Sequence, residues 1–123
     1  MKKTSLLILL TSLLGGCAGY GQVERYSDLS SEQLQRSYKV KFYESTDGLS
    51  FNRLGQIKGL SCKAHWAGRD STEKAARDQL KIKAVKLGAN GVLAASCTNN
   101  DQLDMANNCW NSWVCNAEAI AVK

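Results

Sequence analysis

The sequence predicts an α+β fold: a small, mainly antiparallel four-stranded sheet packed by one long helix and stapled by two disulfides. Three observations carry that expectation. Between residues 71 and 87 apolar side chains recur at helical spacing, whereas the segments 38–43, 53–60, 92–96 and 113–122 have strand character and are bounded by turn residues. Four cysteines, Cys62, Cys97, Cys109 and Cys115, fall within the same stretch. An even number can close two bonds.

The first strand, Tyr38-Lys39-Val40-Lys41-Phe42-Tyr43, alternates and is rich in β-favouring residues, and Thr46-Asp47-Gly48 supplies turn chemistry after it. The second runs from Arg53 to Leu60 and contains Leu54 and Ile57 together with Gly55 and Gly59. Glycine inside a strand marks a bulge or a close backbone approach. The helix is predicted over 71–87. Asp70 can cap it with Glu73 three residues later, Ala76, Leu80, Ala84 and Leu87 form its apolar stripe, and Gly88 ends it. Lys74, Arg77, Lys81 and Lys86 point largely away from that stripe. Such a face is either merely solvated or a contact for an acidic partner, and Lys74, Arg77 and Lys81 are the candidate partner-binding residues.

The short apolar run Val92-Leu93-Ala94-Ala95-Ser96 reads as a buried strand and is followed by a polar loop over 98–108. In the terminal strand Ala117, Ala119 and Ala121 alternate with Glu118, Ile120 and Val122. Alanine is a weak strand former, so its context must hold it there. If 91–97 and 112–122 are antiparallel neighbours, a register placing Cys97 opposite Cys115 also places Ala95 opposite Ala117 and Leu93 opposite Ala119, all on one face. A register shifted by two keeps the same alternation.

The N-terminus points to the compartment. Lys2 and Lys3 precede the apolar run Leu6-Leu7-Ile8-Leu9-Leu10, which is shorter than the roughly 20 residues a spanning helix needs. Residues 1–16 therefore read as a signal peptide. Leu14-Gly15-Gly16-Cys17 resembles the lipobox of bacterial lipoproteins, which implies acylation of Cys17 and cleavage before it. Three acyl chains, at about 0.8 kcal/mol per buried methylene, would hold the protein on its membrane. Residue 18 is alanine where similar lipoproteins retained at the inner membrane have aspartate, a resemblance that points to the outer membrane. The mature chain would have 107 of the 123 residues, room for one modest domain, and a net charge of +3 once Lys2 and Lys3 leave a chain of +5. That mild excess does not point to nucleic acid. Residues 17–37 read as a lipidated tether, with a short helix from Ser31 to Arg36 opened by a Ser30 and Gln33 capping box, and 38–123 as the periplasmic domain.

In an oxidising compartment the four remaining cysteines make two disulfides, and spacing leaves all three pairings open. A zinc site built from these thiols and His65, the only histidine, lacks a Cys-x-x-Cys knuckle, so no metal or other cofactor is expected and His65 reads as a surface loop residue. Ser71, Asp70 and His65 lie close in sequence, but no nucleophile-elbow glycines surround the serine. No enzyme is expected.

From about residue 54 onward the chain resembles the RcsF family, outer-membrane lipoproteins that sense envelope stress for the Rcs phosphorelay. The resemblance rests on Leu54-Gly55-Gln56-Ile57-Lys58-Gly59 leading into Cys62, on Ala84-Val85-Lys86-Leu87-Gly88-Ala89-Asn90-Gly91-Val92-Leu93, and on Cys97, Cys109 and Cys115 in matching order. It implies Cys62–Cys109 and Cys97–Cys115 pairing, a disulfide isomerase during folding, contact with outer-membrane β-barrel proteins, and engagement of an inner-membrane inhibitor of the phosphorelay (IgaA-like). A structural or assembly lipoprotein associated with β-barrel proteins, without signalling output, is the alternative. The family's tether is longer, rich in proline and basic, whereas this chain has no proline at all.

Overall fold

The computed structural model describes residues 24–123; the signal peptide, Cys17 and the start of the tether lie outside them. The α+β class holds. After a 3-10 turn at Tyr26–Asp28 come α1 (Ser31–Ser37), β1 (Lys41–Tyr43), β2 (Phe51–Lys63), α2 (Glu73–Lys86), β3 (Gly91–Asn100) and β4 (Asn111–Val122). The four strands form one sheet in the order β1-β3-β4-β2. β4 pairs antiparallel with both β2 and β3, and β1 runs parallel to β3.

The helix forms where periodicity places it, with a different cap. Thr72, not Asp70, is the N-cap: its hydroxyl accepts a hydrogen bond from Ala75 N at 3.1 Å, while the Asp70 carboxylate is taken by the Lys63 ammonium at 2.7 Å. The Thr72 amide in turn donates to Ser61 Oγ at 3.0 Å, fastening the start of α2 to β2. At the other end the Ala89 amide reaches Ala84 O and the Gly88 amide reaches Val85 O, both at 2.9 Å. These two bonds close a Schellman turn in which Gly88 takes φ +79°, a conformation a side chain would strain. Leu87, assigned to the apolar stripe, is the C-cap and stands 47% exposed; Val85 takes its place in the core beside Ala76, Leu80 and Ala84.

That stripe lies on the sheet face formed by Ile57, Val92, Cys115, Ala117 and Ala119. The alanines of β4 are small because the helix comes close, and Gly59 shows how close. A Cβ at Gly59 would sit 2.0 Å from the Ala76 carbonyl oxygen, so only glycine lets α2 lie directly on β2. Gly55 sits instead at the register shift that kinks β2. The two meanings of a strand glycine are thus realised four residues apart.

Several strand limits differ from the sequence reading. β2 and β3 are longer than their apolar runs, since sheet pairing carries polar residues such as Asn99 and Asn100 once a partner is present. β1 keeps only three residues, because Tyr38 caps α1 and stacks on Tyr26 with ring centroids 6.2 Å apart. Cys97 does face Cys115, but Leu93 faces Glu118 and not Ala119. A bulge between Leu93 and Ser96, with Ala94 at φ 52°, inserts one residue and flips the pleat beyond it. Residues 24–37, assigned to the tether, lie against the domain. The buried Gln79 of α2 accepts from the Glu24 amide at 2.7 Å and donates to its carbonyl at 2.5 Å, Lys86 pairs with the Glu24 carboxylate at 2.6 Å, and α1 packs on α2. The Ser30 and Gln33 capping box forms as read, with bonds of 3.2 and 3.0 Å.

Candidate functional site

Two surfaces carry side chains that the fold alone does not require. The first lies on α2. Lys74, Arg77 and Lys81 are three and four residues apart, so helical geometry gathers them on one face, and Phe42 of β1 completes the groove they line with Glu73 and Asp78. The Arg77 guanidinium lies 5.5 Å and the Lys81 ammonium 5.8 Å from the centroid of the Phe42 ring. Arg77 also pairs with Glu73 at 2.9 Å, and Lys74 with Asp78 at 2.8 Å. The face is therefore not a plain basic stripe. Its cations alternate with carboxylates over an aromatic floor, and among the described residues Lys81 has no carboxylate partner. Burial, then the Asp78 carboxylate, pushes the Tyr26 phenol above its ordinary range at the same edge.

The second surface lies beside the start of α2, where Ser61 and Asn111 accept hydrogen bonds from Thr72 and Ser71. Cys62 is joined to Cys109, tying the loop after β3 to the end of β2, and Cys97 is joined to Cys115 between adjacent strands. Because alternate residues of a strand share a face, Cys115 lies on the helix side while Cys62 and its neighbour Ser112 lie on the other. Asp104 organises the loop. Its carboxylate accepts from Ser112 Oγ at 2.6 Å, from Asn107 Nδ2 at 2.7 Å and from Asn107 N at 3.2 Å, and its backbone exchanges two hydrogen bonds with Cys109. From this frame Leu103, Met105 and Trp110 project into solvent, and Trp66 does so from the neighbouring loop, where Lys63 O accepts from Trp110 N at 2.7 Å. Met105 and Trp66 are nearly four-fifths exposed. Scattered exposed apolar residues mean little, but these four stand on two loops that the Cys62–Cys109 bond and the Trp110 N to Lys63 O hydrogen bond anchor at the end of β2, which makes them a candidate contact rim. The sequence reading placed Leu103 and Met105 in a polar loop over 98–108 and gave Trp66 and Trp110 no role. The available signal was three large apolar side chains, Leu103, Met105 and Trp110, inside an otherwise hydrophilic run.

The Ser112 hydroxyl, then Asn107, hold the Asp104 carboxyl below the usual carboxylate range. A depressed folded value means that the carboxylate contributes stability above its unfolded pKa, near 3.9, and that this is lost as pH falls through the folded value. Acidification below about pH 4 is therefore expected to loosen the 101–110 loop first. Asp104→Asn should loosen it already at neutral pH and abolish that pH dependence. Amide exchange of Asn107 and Cys109 between pH 3 and pH 7, corrected for intrinsic rates, checks this; a pH-independent protection factor in the wild type would refute it.

Family comparison places the molecule. The model of the RcsF lipoprotein family matches residues 21–123, the whole of the described domain. The chain belongs to the RcsF lipoprotein family. No curated protein matches it. Among solved structures, a protein of unknown function from Pediococcus pentosaceus ATCC 25745, placed in the DUF74 family, is 12% identical with a TM-score of 0.46, and the overlap covers 70% of this chain and 99% of that one. At that score the likeness carries no weight.

In this RcsF-family domain the sequence-derived residues fall as follows. Lys74, Arg77 and Lys81 come together in the α2 groove, the four cysteines form two bonds on opposite faces of the sheet, and His65 is exposed in the loop after β2. Ser71 donates to Asn111 Oδ1 at 2.6 Å and Asp70 is held by Lys63, so the three hydrolase candidates do not form a triad. Among the described residues no three His, Cys, Asp or Glu side chains gather as a metal site would require.

Proposed function

We propose that this protein is an outer-membrane lipoprotein, anchored through acylated Cys17 with its domain in the periplasm, that senses envelope stress and activates a histidine-kinase phosphorelay through protein-protein contacts. The match of the RcsF lipoprotein model to residues 21–123 carries this reading. Its work is binding and not catalysis. The partners it calls for are outer-membrane β-barrel proteins and an inner-membrane inhibitor of the phosphorelay, and the α2 groove with its alternating charges over Phe42 is the surface we assign to partner contact.

Charge reversal at Lys74, Arg77 and Lys81 together tests that surface. The ion pairs lost are solvent-facing, so the fold should survive with little change in stability. Reversed charges should weaken partner binding about tenfold. Phosphorelay reporter activity in cells making the triple variant should fall accordingly while its abundance and protease resistance match the wild type. Wild-type reporter activity at equal abundance would remove the groove from the account.

The packing of residues 24–37 favours a second reading. Six residues lie between Cys17 and Glu24, and the seven Cα–Cα steps span at most about 25 Å, which holds the domain near the membrane that carries it. A structural or assembly lipoprotein working beside β-barrel proteins has no need of a longer reach. Under that reading deletion of the gene changes barrel-protein levels and leaves the reporter unmoved.

A further inference from the structure

The C-terminal end of α2 is ringed by cations from four parts of the chain. On one side of Leu87 and Gly88, Lys58, Lys83 and Lys86 line a shallow cleft with Glu24; on the other, Arg36, Lys39 and Lys41 line a second. Two carboxylates answer these six cations, Glu24 at 2.6 Å from Lys86 and Glu32 at 3.8 Å from Arg36. Four positive charges remain, more than the excess of three carried by the mature chain as a whole. The rest of the domain is close to neutral. Lysines in the last turn of a helix complement its dipole, which accounts for Lys83 and Lys86 but not for the cations contributed by α1, β1 and β2. Lys83 is half-buried with its ammonium donating to the Lys58 carbonyl, and burial holds its pKa below the ordinary range. Its position thickens the charge around the exposed Lys58 and Lys86.

This is also the end at which the described chain begins. Glu24 is bound to Lys86 and Gln79, and Cys17 lies only seven residues earlier. We propose that this basic end, with the half-exposed Leu87 at its centre, docks on anionic phospholipid headgroups of the bilayer that holds the lipid anchor. The proposal rests on the acylation of Cys17, which keeps Glu24 and its partner Lys86 within about 25 Å of the anchor, so that the basic end can reach a charge layer decaying over about 8 Å at physiological salt. Docked in this way, α2 points its N-terminal end away from the bilayer. Its 14 residues lift the Trp66 and Trp110 rim about 20 Å further out, toward periplasmic partners.

Lysine footprinting of the full mature protein, purified from membranes and reconstituted into vesicles, tests the docking. The protein is acetylated briefly in phosphatidylcholine vesicles or in phosphatidylcholine vesicles containing phosphatidylglycerol, and each lysine is quantified by mass spectrometry. On the anionic vesicles the reactivity of Lys39, Lys41, Lys58 and Lys86 should fall about threefold or more and recover in about 0.5 M salt, whereas Lys63 and Lys74 at the far end should not change. Equal reactivity of the four lysines on both vesicles overturns the proposal, leaving an acidic protein surface as the occupant. Uniform loss across all lysines, distal ones included, overturns it as well. The mass of the N-terminal peptide reports acylation separately. If Cys17 carries no acyl groups the anchor reading fails, and anionic-specific flotation of the unacylated chain then decides the docking by itself.

Discussion

Serine at both Cys62 and Cys109 is expected to destabilise the domain by about 4 kcal/mol. The two cysteines are 47 residues apart, and crosslinking a loop of that length removes about this much chain entropy from the unfolded state. The bond between Cys97 and Cys115 spans 18 residues and on the same estimate contributes about 3 kcal/mol. Small domains have net stabilities of about 5–15 kcal/mol, so loss of both bonds should remove much of the domain's stability. Urea denaturation of each double-serine variant measures this directly, and a loss under about 1 kcal/mol for the Cys62 and Cys109 pair would contradict it. The pairing is crossed, so under the proposed export an oxidant that meets the chain N-terminus first would join Cys62 to Cys97. Correcting that bond without a catalyst takes minutes to hours. Loss of a disulfide isomerase should therefore lower the folded level of the protein.

Gly59→Val should cost about 3 kcal/mol or more, at the upper end of the overpacking range. The first atom of the new side chain would lie 2.0 Å from Ala76 O and 3.2 Å from Gln79 Cβ, and the former is helix backbone that no rotamer change can move. Gly48→Ala gives the scale. That residue has φ +72° and open space around it, so the substitution pays only the left-handed backbone strain of about 1–2 kcal/mol. Urea midpoints for the two variants should differ clearly and in this order; near-equal stability would mean that α2 does not sit on Gly59.

How far the fold was legible follows from the range of each interaction. α2 was readable because Ala76, Leu80 and Ala84 are spaced by the helix itself, and the strand glycines announced a bulge or a close approach, while which glycine meant which needed the structure. The cap was misplaced because Asp70 and Thr72 are both competent, and the choice depends on Lys63, a residue from another element. The bulge at Ala94 left no local sign, since alanine has no preference for φ 52°, and without it the register of β3 was off by one over Gly91–Leu93, before the bulge. The parallel pairing of β1 with β3 joins segments about fifty residues apart, which alternation cannot report. Residues 24–37 looked like tether because their attachment to α2 runs through polar groups, the Glu24 backbone and the Gln79 amide, and hydrophobic patterning is blind to them. At the candidate sites the α2 cations were readable from their spacing, but the interleaved carboxylates and the Phe42 floor needed the packed structure. The rim of Trp66, Leu103, Met105 and Trp110 was hidden by the hydrophilic composition around it.

The sensor reading is tested most directly by the response of a phosphorelay reporter to envelope damage in cells lacking this gene and complemented with either the wild type or Cys17→Ser. The wild type should restore induction and be recovered, acylated, in the outer membrane. The serine variant should remain as an unprocessed precursor at the inner membrane and fail to give the normal damage-dependent rise. An undiminished rise in the uncomplemented deletion strain, or normal outer-membrane sorting and signalling by Cys17→Ser, would contradict the account.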